Sequence, residues 1–280
     1  MLSPQTLGVV GAGQMGSGIA QAAAQAGISV ILTDVREAAL EKAIHTIEKS
    51  LAKLQEKGKI ADPTSVRQRI RTATRMEEVK SADMVIEAVT ENEQLKFKIF
   101  AELDQVCRPE AILASNTSSI SITRLAAKTR RPDKVIGIHF MNPVPMMELA
   151  EIIRGLQTSD ETLNTARELA VRLGKKVVLS KDSPGFIVNR VLVPMINEAI
   201  FALYQGVGTV EDIDTAMKLG THQPMGPLQL ADFVGLDTVL AVLEVFHESF
   251  GDKFKPCPLL KQYVDAGWLG RKSGRGFYTY

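Results

Sequence analysis

The segment Leu7-Gly8-Val9-Val10-Gly11-Ala12-Gly13-Gln14-Met15-Gly16 decides the fold of this chain. Its apolar start is typical of a buried strand, and the glycines that follow have the spacing G-x-G-x-x-G. The first glycine of this pattern permits a tight turn, the second lets backbone amides approach a pyrophosphate, and the third lets helix and strand pack closely. Since a helical pattern opens at the turn, free N–H groups of that helix can bind phosphate. The segment therefore predicts a strand, turn and helix that bind a dinucleotide.

An acidic residue farther along supports this interpretation. Asp34 follows the second predicted strand, 23 residues after Gly11, about where a carboxylate accepts from a ribose 2′-hydroxyl. A carboxylate there disfavours a 2′-phosphate, so NAD is predicted rather than NADP, although the nearby Arg36 weakens the preference. The alternative is that Asp34 caps the next helix. The cofactor contacts predicted from this part of the chain are Gly11, Gly13, Gln14, Met15, Gly16 and Asp34.

The composition excludes several classes of protein. The chain has 280 residues, 45% of them hydrophobic, and a net charge of +1, which gives no electrostatic footprint for nucleic acid. Cys107 and Cys257 have no metal-ligand spacing, so no metal site is predicted and a reducing compartment is indicated. Residues 1–33 carry no charged side chain, but glycines and glutamines interrupt them. We therefore predict a cytoplasmic protein without a membrane span.

The first two thirds of the chain alternate short apolar runs with helical patterns, which indicates parallel strands joined by crossover helices. The predicted strands run from Leu7 to Val10, Ser29 to Thr33, Met84 to Ala88, Ile112 to Ser115, Val135 to His139, Leu149 to Ile153 and Lys176 to Leu179. Near residue 184 the strand patterns end. The helices predicted beyond it run from Phe186 to Leu203 with a kink at Pro194, from Val210 to Leu219, from Leu228 to Phe250 and from Pro258 to Gly267. We predict an α/β fold with a Rossmann-type, mostly parallel sheet in an NAD-binding domain (residues 1–184), followed by an all-helical substrate and dimerisation domain (residues 185–280).

A histidine and a glutamate on neighbouring predicted strands can form an acid/base pair. His139 ends one strand and Glu151 lies in the next, and the loop Asn142-Pro143-Val144-Pro145 between them lets the returning strand bring them face to face. A carboxylate bonded to one imidazole nitrogen fixes the tautomer and leaves the other nitrogen to exchange a proton, as alcohol oxidation requires. Glu148 competes as the partner, although it would face the other side of the strand. A purely structural His139, or a functional His222 in its Gly/Pro-rich loop, fits the pattern as well.

Several further motifs occur in order along almost the whole chain. They are Gly11 to Gly16, Ser115-Asn116-Thr117-Ser118-Ser119, His139-Phe140-Met141-Asn142-Pro143-Val144-Pro145, Asp182-Ser183-Pro184-Gly185-Phe186-Ile187-Val188-Asn189-Arg190, Pro224-Met225-Gly226-Pro227, Gly235-Leu236-Asp237 and Gly274-Arg275-Gly276-Phe277-Tyr278. In this order they resemble the motifs of the L-3-hydroxyacyl-CoA dehydrogenases, most of all the bacterial short-chain type. The resemblance implies an NAD-dependent oxidoreductase that interconverts (S)-3-hydroxyacyl-CoA and 3-ketoacyl-CoA, and a homodimer formed through the C-terminal domain.

The resemblance also implies roles for single residues. His139 matches the family's catalytic base, Glu151 matches the carboxylate that orients it, and Asn189 matches a residue that completes the pocket from the second domain. Ser118 and Asn142 match residues that contact the substrate thioester and the nicotinamide end of the site. The other implied cofactor contacts are Glu91, Lys96 and Lys272, and the implied contacts of the coenzyme A nucleotide are Ser50 and Lys57.

Each of these positions also has a structural interpretation. Ser118 fits a helix N-cap, Asn189 a buried helical amide that satisfies backbone groups, and Lys57 a solvated charge. The other implied cofactor contacts rest on the resemblance alone. For the whole chain, two alternatives share the same fold: a dehydrogenase of free hydroxy or sugar acids, and a non-catalytic NAD-binding protein.

Overall fold

The computed structural model describes residues 4–280, and the chain divides into two compact units, Met1–Ser183 and Pro184–Tyr280. The strands of the first unit are β1 (Thr6–Val10), β2 (Ser29–Thr33), β3 (Ile70–Ala73), β4 (Met84–Glu87), β5 (Ile112–Ser115), β6 (Val135–Phe140), β7 (Leu149–Arg154) and β8 (Lys176–Lys181). They form one sheet in the order β3-β2-β1-β4-β5-β6-β7-β8. Only β6 and β7 pair antiparallel. The first six positions have the Rossmann strand order, so the predicted mostly parallel sheet is confirmed.

Helices connect the parallel strands and cover the sheet. In the first unit they are α1 (Gln14–Gln25), α2 (Glu37–Glu56), α3 (Pro63–Gln68), α4 (Glu93–Val106), α5 (Ile122–Ala126) and α6 (Asp160–Arg172). Ile19 and Ala23 of α1 are fully buried in the core with the sheet, because the small residues of this helix let it approach closely. Asp62 caps the start of α3, since its Oδ1 accepts from the N–H groups of Thr64 at 2.9 Å and Ser65 at 3.1 Å.

Strand β3 is absent from the sequence prediction, and its position in the sheet explains why. It lies at the edge beside β2, and only Ile70 of its four residues is buried. An edge strand needs no run of apolar residues, because one of its sides is not covered by a neighbouring strand. Its sequence Ile-Arg-Thr-Ala therefore gives no strand signal.

The second unit is built from helices. They are α7 (Val188–Tyr204), α8 (Val210–Gly220), α9 (Pro227–Val234), α10 (Leu236–Phe250) and α11 (Pro258–Asp265). The single helix predicted from Leu228 to Phe250 is wrong, because Gly235 has φ of +101° and separates α9 from α10. The predicted start at Phe186 is also wrong, since Phe186 itself has φ of +50° and α7 begins two residues later. Pro194 lies inside α7, as predicted. Among residues 4–280, no helix is both long and apolar enough to cross a membrane.

Both cysteines are buried thiols, which leads to a simple prediction. Burial raises the pKa of Cys107 to about 11 and also raises the pKa of Cys257. Because the thiolate is the reactive form, a raised pKa means that little of either thiol is reactive at neutral pH. We expect a thiol reagent such as DTNB to label neither cysteine in the native protein, and both once denaturant is added. Labelling of the native protein at the rate of a model thiol would contradict the burial.

Candidate active site

Many of the predicted functional residues of the first unit lie at, or just beyond, the carboxyl ends of parallel strands. The glycine-rich turn follows β1, Asp34 follows β2, the serine residues 118 and 119 follow β5, and His139 lies near the end of β6. Open α/β sheets bind their ligands at this edge, where the strand order reverses. The sheet therefore brings to one edge residues that are far apart in the sequence.

His139 and Glu151 form a buried pair. The antiparallel register of β6 and β7 places them directly opposite each other, and His139 Nδ1 lies 2.7 Å from Glu151 Oε2. Glu151 is fully buried and His139 is 8% exposed. A carboxylate at this distance selects the tautomer in which Nδ1 carries the hydrogen, so proton exchange with a ligand would occur at Nε2.

The two alternatives to this pair lie elsewhere. Glu148, the competing carboxylate, is exposed and its Oε2 lies 3.0 Å from the Lys176 ammonium. His222 is exposed in the second unit, with φ of +56°. Neither residue has the buried histidine–carboxylate geometry that general acid/base chemistry uses.

The glycine-rich turn has the close approaches that its spacing predicts. Gly11 has φ of +102°, and a Cβ there would come within 2.7 Å of the Ala88 carbonyl oxygen. A Cβ on Gly16 would overlap the carbonyl oxygen of Gly11. A Cβ on Gly13, in contrast, would meet no atom within 4 Å. Two glycines thus serve packing and one leaves open space at the N-terminus of α1, which fits a bound pyrophosphate.

Asp34 connects the end of β2 to this turn. Its Oδ2 accepts from the Ala12 N–H at 2.9 Å, and its Oδ1 accepts from the Arg36 N–H at 3.0 Å. Arg36, not Asp34, is the N-cap residue of α2, and no side chain caps this helix. The helix-cap alternative for Asp34 is therefore not observed. The carboxylate lies beside the glycine turn, as recognition of a ribose hydroxyl requires.

Residues 117–119, called the serine loop below, donate their three hydroxyl hydrogens and the N–H groups of Ser118 and Ser119 to one carboxylate. Glu91 Oε1 accepts from the hydroxyl of Thr117 at 2.5 Å and from the N–H groups of Ser118 at 2.9 Å and Ser119 at 3.0 Å. Burial acts to raise the pKa of Glu91, but the charge of Lys96 and the hydrogen bonds from the loop outweigh it and lower that pKa. Ser118 is not a helix N-cap, because Ser121 caps α5.

Lys96 is buried under this loop rather than exposed. Its side chain is 1% exposed, and its ammonium lies 2.6 Å from Glu87 Oε1 and 3.3 Å from Glu91 Oε2. The predicted cofactor contacts Glu91 and Lys96 are thus partners in one ion-pair cluster. The sequence analysis did not identify Glu87 as a site residue, because Glu87 lies at the end of an apolar strand. The available signal is a charged residue at the end of the run Met-Val-Ile-Glu.

A cavity of about 750 Å³ opens beside the glycine-rich turn. Its walls are formed by the turn and α1, by one face of α2, and by the loop after β6, which includes Asn142. Lys42, Thr46 and Ser50 line it from successive turns of α2, because residues four apart lie on one helix face. The volume is within the range of about 300–1,000 Å³ that is usual for small-molecule sites.

The two predicted coenzyme A contacts differ in their position. Ser50 lines the cavity and its Oγ accepts from Gln21 Nε2 at 2.9 Å. Lys57 is the exposed C-cap residue of α2 and is not among the cavity-lining residues. The lysine on the cavity wall is Lys42, which the sequence motifs do not single out. The helical spacing from Ser50 back to residues 46 and 42 is the signal that identifies it.

Two predicted site residues belong to the second unit. Asn189 is half-buried in the first turn of α7. Lys272 forms an ion pair with Asp237, with Nζ 2.5 Å from Oδ1 and 2.6 Å from Oδ2. Lys272 therefore already has a carboxylate partner within its own unit.

The sheet order, the glycine-rich turn and the acidic residue after β2 define a dinucleotide-binding protein of the Rossmann type. Comparison with protein families is more specific. The model of the 3-hydroxyacyl-CoA dehydrogenase NAD-binding domain matches residues 6–183, and the model of the 3-hydroxyacyl-CoA dehydrogenase C-terminal domain matches residues 185–280. The chain belongs to the 3-hydroxyacyl-CoA dehydrogenase family.

Individual relatives extend over the whole chain. It is 56% identical over 277 residues to the 3-hydroxybutyryl-CoA dehydrogenase of Bradyrhizobium diazoefficiens, covering 98% of this chain and 94% of that one. The crystal structure of (S)-3-hydroxybutyryl-CoA dehydrogenase from Ralstonia eutropha matches with a TM-score of 0.97 and 51% identity, over 99% of both chains. A diketoreductase structure, described as acting on dicarbonyl compounds, matches over 100% of both chains with a TM-score of 0.86 and 32% identity.

Proposed function

We propose that this protein interconverts (S)-3-hydroxyacyl-CoA and 3-ketoacyl-CoA by hydride transfer with NAD, and that its preferred substrate is short, as in 3-hydroxybutyryl-CoA. The observation that carries the proposal is the buried His139–Glu151 pair, 2.7 Å apart at the ligand-binding edge of a dinucleotide-binding sheet. The high identity to enzymes named 3-hydroxybutyryl-CoA dehydrogenase supports the substrate.

The chemistry assigned to the chain is movement of one proton. The glycine-rich turn and Asp34 would hold NAD, which would supply the hydride acceptor in oxidation and the hydride donor in reduction. In oxidation, neutral His139 takes the hydroxyl proton at Nε2 while Glu151 stabilises the charge that forms on the ring; in reduction, protonated His139 returns that proton. The Ser118 hydroxyl, which donates to Glu91 Oε1 at 3.3 Å, would donate to the substrate carbonyl oxygen instead as negative charge builds there.

The proposed cofactor contacts follow the glycine-rich turn and the residues near it. Asp34 would accept from the ribose 2′-hydroxyl and repel a 2′-phosphate, which favours NAD over NADP. Glu91 and Lys96 would act at the nicotinamide end, with Ser118 and Asn142. Two further contacts are proposed on the family resemblance: Lys272 with the cofactor and Asn189 with the substrate.

Initial rates with a panel of 3-ketoacyl-CoA thioesters of increasing chain length, each with NADH and with NADPH, test the proposal. We expect the highest kcat/KM with acetoacetyl-CoA and NADH. A preference for NADPH would refute the role of Asp34. Absence of turnover with every thioester would refute the function.

We propose that the cavity beside α2 holds the coenzyme A nucleotide through Lys42 and Ser50. Lys42→Glu should then raise the KM for acetoacetyl-CoA about tenfold, a loss of about 1.4 kcal/mol in binding, because the new charge repels the phosphates. The KM for acetoacetyl-N-acetylcysteamine, which lacks the nucleotide, should not change. Lys57→Glu should give a smaller rise, since Lys57 lies off the cavity wall.

Lys98→Glu is the matched control, because Lys98 is exposed on α4 and does not line the cavity. Its KM values should equal those of the wild type. An equal rise in KM for both thioesters in Lys42→Glu would show that the change acts on the site as a whole and not on the nucleotide.

A second candidate function is reduction of a small dicarbonyl compound or hydroxy acid that carries no coenzyme A. The similarity to the diketoreductase structure favours it. The variant Lys42→Glu separates the two candidate functions. A small substrate without coenzyme A would not reach the nucleotide cavity, so its KM should be the same in the variant and the wild type.

We also propose that the protein is a homodimer formed through the helical unit, as the family resemblance implies. Exposed apolar side chains in that unit, among them Val191, Leu219 and Phe233, support it. Light scattering should give a molar mass twice that of one chain. The Val191→Asp variant should have a lower molar mass, because the new charge weakens the interface. A monomeric wild type would refute the proposal.

A further inference from the structure

Glu87 is a buried carboxylate to which the mechanism above assigns no role. It is the last residue of β4 and is fully buried. Its Oε1 lies 2.6 Å from the Lys96 ammonium and accepts from the Val89 N–H at 2.7 Å, and its Oε2 accepts from the Ser115 hydroxyl at 2.6 Å. The cost of removing two ions from water can exceed their attraction, so a buried pair is weak evidence for a stabilising role. The contacts of Glu87 point to another role.

One chain of hydrogen bonds runs from Glu87 to the serine loop through Ser115. The Ser115 oxygen, whose hydrogen is donated to Glu87, accepts from the Thr117 N–H at 3.1 Å. The hydroxyl of Thr117 in turn accepts from the N–H groups of Ser119 at 3.2 Å and Ile120 at 2.9 Å. The orientation of the Ser115 hydroxyl therefore fixes where the serine loop begins.

A second connection runs through Lys96 and Glu91. The ammonium lies between two carboxylates, 2.6 Å from Glu87 and 3.3 Å from Glu91. Glu91 then accepts from both the N–H and the hydroxyl of Ser118, at 2.9 and 3.3 Å. Without the charge of Glu87, Lys96 would retain only Glu91 as a carboxylate partner and would draw it away from the loop. Both connections lead from Glu87 to the residue proposed to bind the substrate carbonyl.

We propose that Glu87 is a positioning residue for Ser118, holding the serine loop through Ser115 and holding Glu91 at its place through Lys96. This inference rests on the proposed function, since it assigns Ser118 to the substrate. Glu87 itself would touch neither the substrate nor the cofactor. The negative charge of Glu87 and its two acceptor oxygens set the position of the Ser118 hydroxyl, three residues beyond the end of β5, the strand that pairs with β4.

Glu87→Gln tests the proposal, because the amide keeps the shape but removes the charge. The amide can also place an N–H group opposite the Ser115 hydroxyl, where Glu87 Oε2 accepts a hydrogen bond in the wild type. We expect kcat/KM for acetoacetyl-CoA to fall about a hundredfold, the size of effect that a misplacement of about 1 Å produces, with a raised KM for the thioester. Ser115→Ala breaks one of the two connections and should lower kcat/KM less. The double variant Glu87→Gln/Ser115→Ala should lose less than the product of the two single losses, since both act on the same loop.

Asp104→Asn is the matched control. Asp104 lies on α4, as Lys96 does, is 4% exposed, and binds Arg130 at 2.9 Å and Arg131 at 2.8 Å, away from the serine loop. Both Glu87→Gln and Asp104→Asn should lower the Tm, whereas only Glu87→Gln should change kcat/KM and KM. An unchanged kcat/KM in Glu87→Gln beside an active wild type would overturn the positioning role. If Glu87→Gln does not fold, wild-type kinetics in Ser115→Ala would overturn it. An inactive wild type would instead refute the proposed function, and the positioning role with it.

Discussion

His139→Gln should lower the turnover of acetoacetyl-CoA by about a thousandfold, within the range of about 10²–10⁴ that general acid/base catalysis contributes. The glutamine amide can still donate to the buried Glu151, so no carboxylate is left unpaired and the fold should survive. The amide cannot accept a proton from an alcohol. NADH should bind as tightly as to the wild type, because the glycine-rich turn is untouched. Initial rates and a fluorescence titration with NADH measure the two quantities.

Glu148→Gln is the control for this variant. Glu148 was the other candidate partner of His139, but it is exposed and paired with Lys176. Its removal should leave kcat within twofold of the wild type, since surface ion pairs contribute roughly 0–1 kcal/mol. Wild-type rates in His139→Gln would remove His139 from the mechanism. A large loss of kcat in Glu148→Gln would show that Glu148, and not Glu151, is the carboxylate that orients His139.

Gly16→Ala should weaken NADH binding by about ten- to a hundredfold and also lower the free energy of unfolding. A Cβ at this position would overlap the carbonyl oxygen of Gly11, so α1 or the turn must move. Inserting an atom into a packed site costs about 1–3 kcal/mol, and displacement of the helix N-terminus removes N–H groups from the phosphates. Denaturant unfolding and NADH titration check the two effects.

Gly220→Ala separates the effect of the site from that of any added methyl group. Gly220 ends α8, its φ is not positive, and a Cβ there would meet no atom within 4 Å. This change should leave NADH binding unaltered and stability equal or higher by about 0.4–1 kcal/mol. Wild-type NADH affinity in Gly16→Ala would show that the third glycine is not needed for the turn.

The sequence was sufficient for most of the fold because the main strands are buried on both faces. Strand β4, for example, is parallel to both of its neighbours and buried at all four residues, and a parallel strand covered on both faces gives a mostly apolar run. The edge strand β3 gives no such run. The break at Gly235 was also not predicted, because an isolated glycine in an apolar helical pattern is compatible with both a continuous and an interrupted helix.

The candidate site was predictable where function depends on local spacing. The turn from Gly11 to Gly16 and the strand–loop–strand arrangement of His139 and Glu151 depend on residues close in sequence. The burial of Lys96 beside Glu87 and the position of Lys42 on the cavity wall depend instead on which face of a helix meets the sheet. Such contacts between distant segments leave little trace in a single sequence.

The buried His139–Glu151 pair is proposed to act on a coenzyme A thioester with NAD. The most direct test compares two substrates of the wild-type protein. Initial rates of NADH consumption are measured with acetoacetyl-CoA and with free acetoacetate. We expect kcat/KM for the thioester to be orders of magnitude higher, because binding of the remote nucleotide supports the reaction at the carbonyl. Equal or faster reduction of free acetoacetate would contradict it.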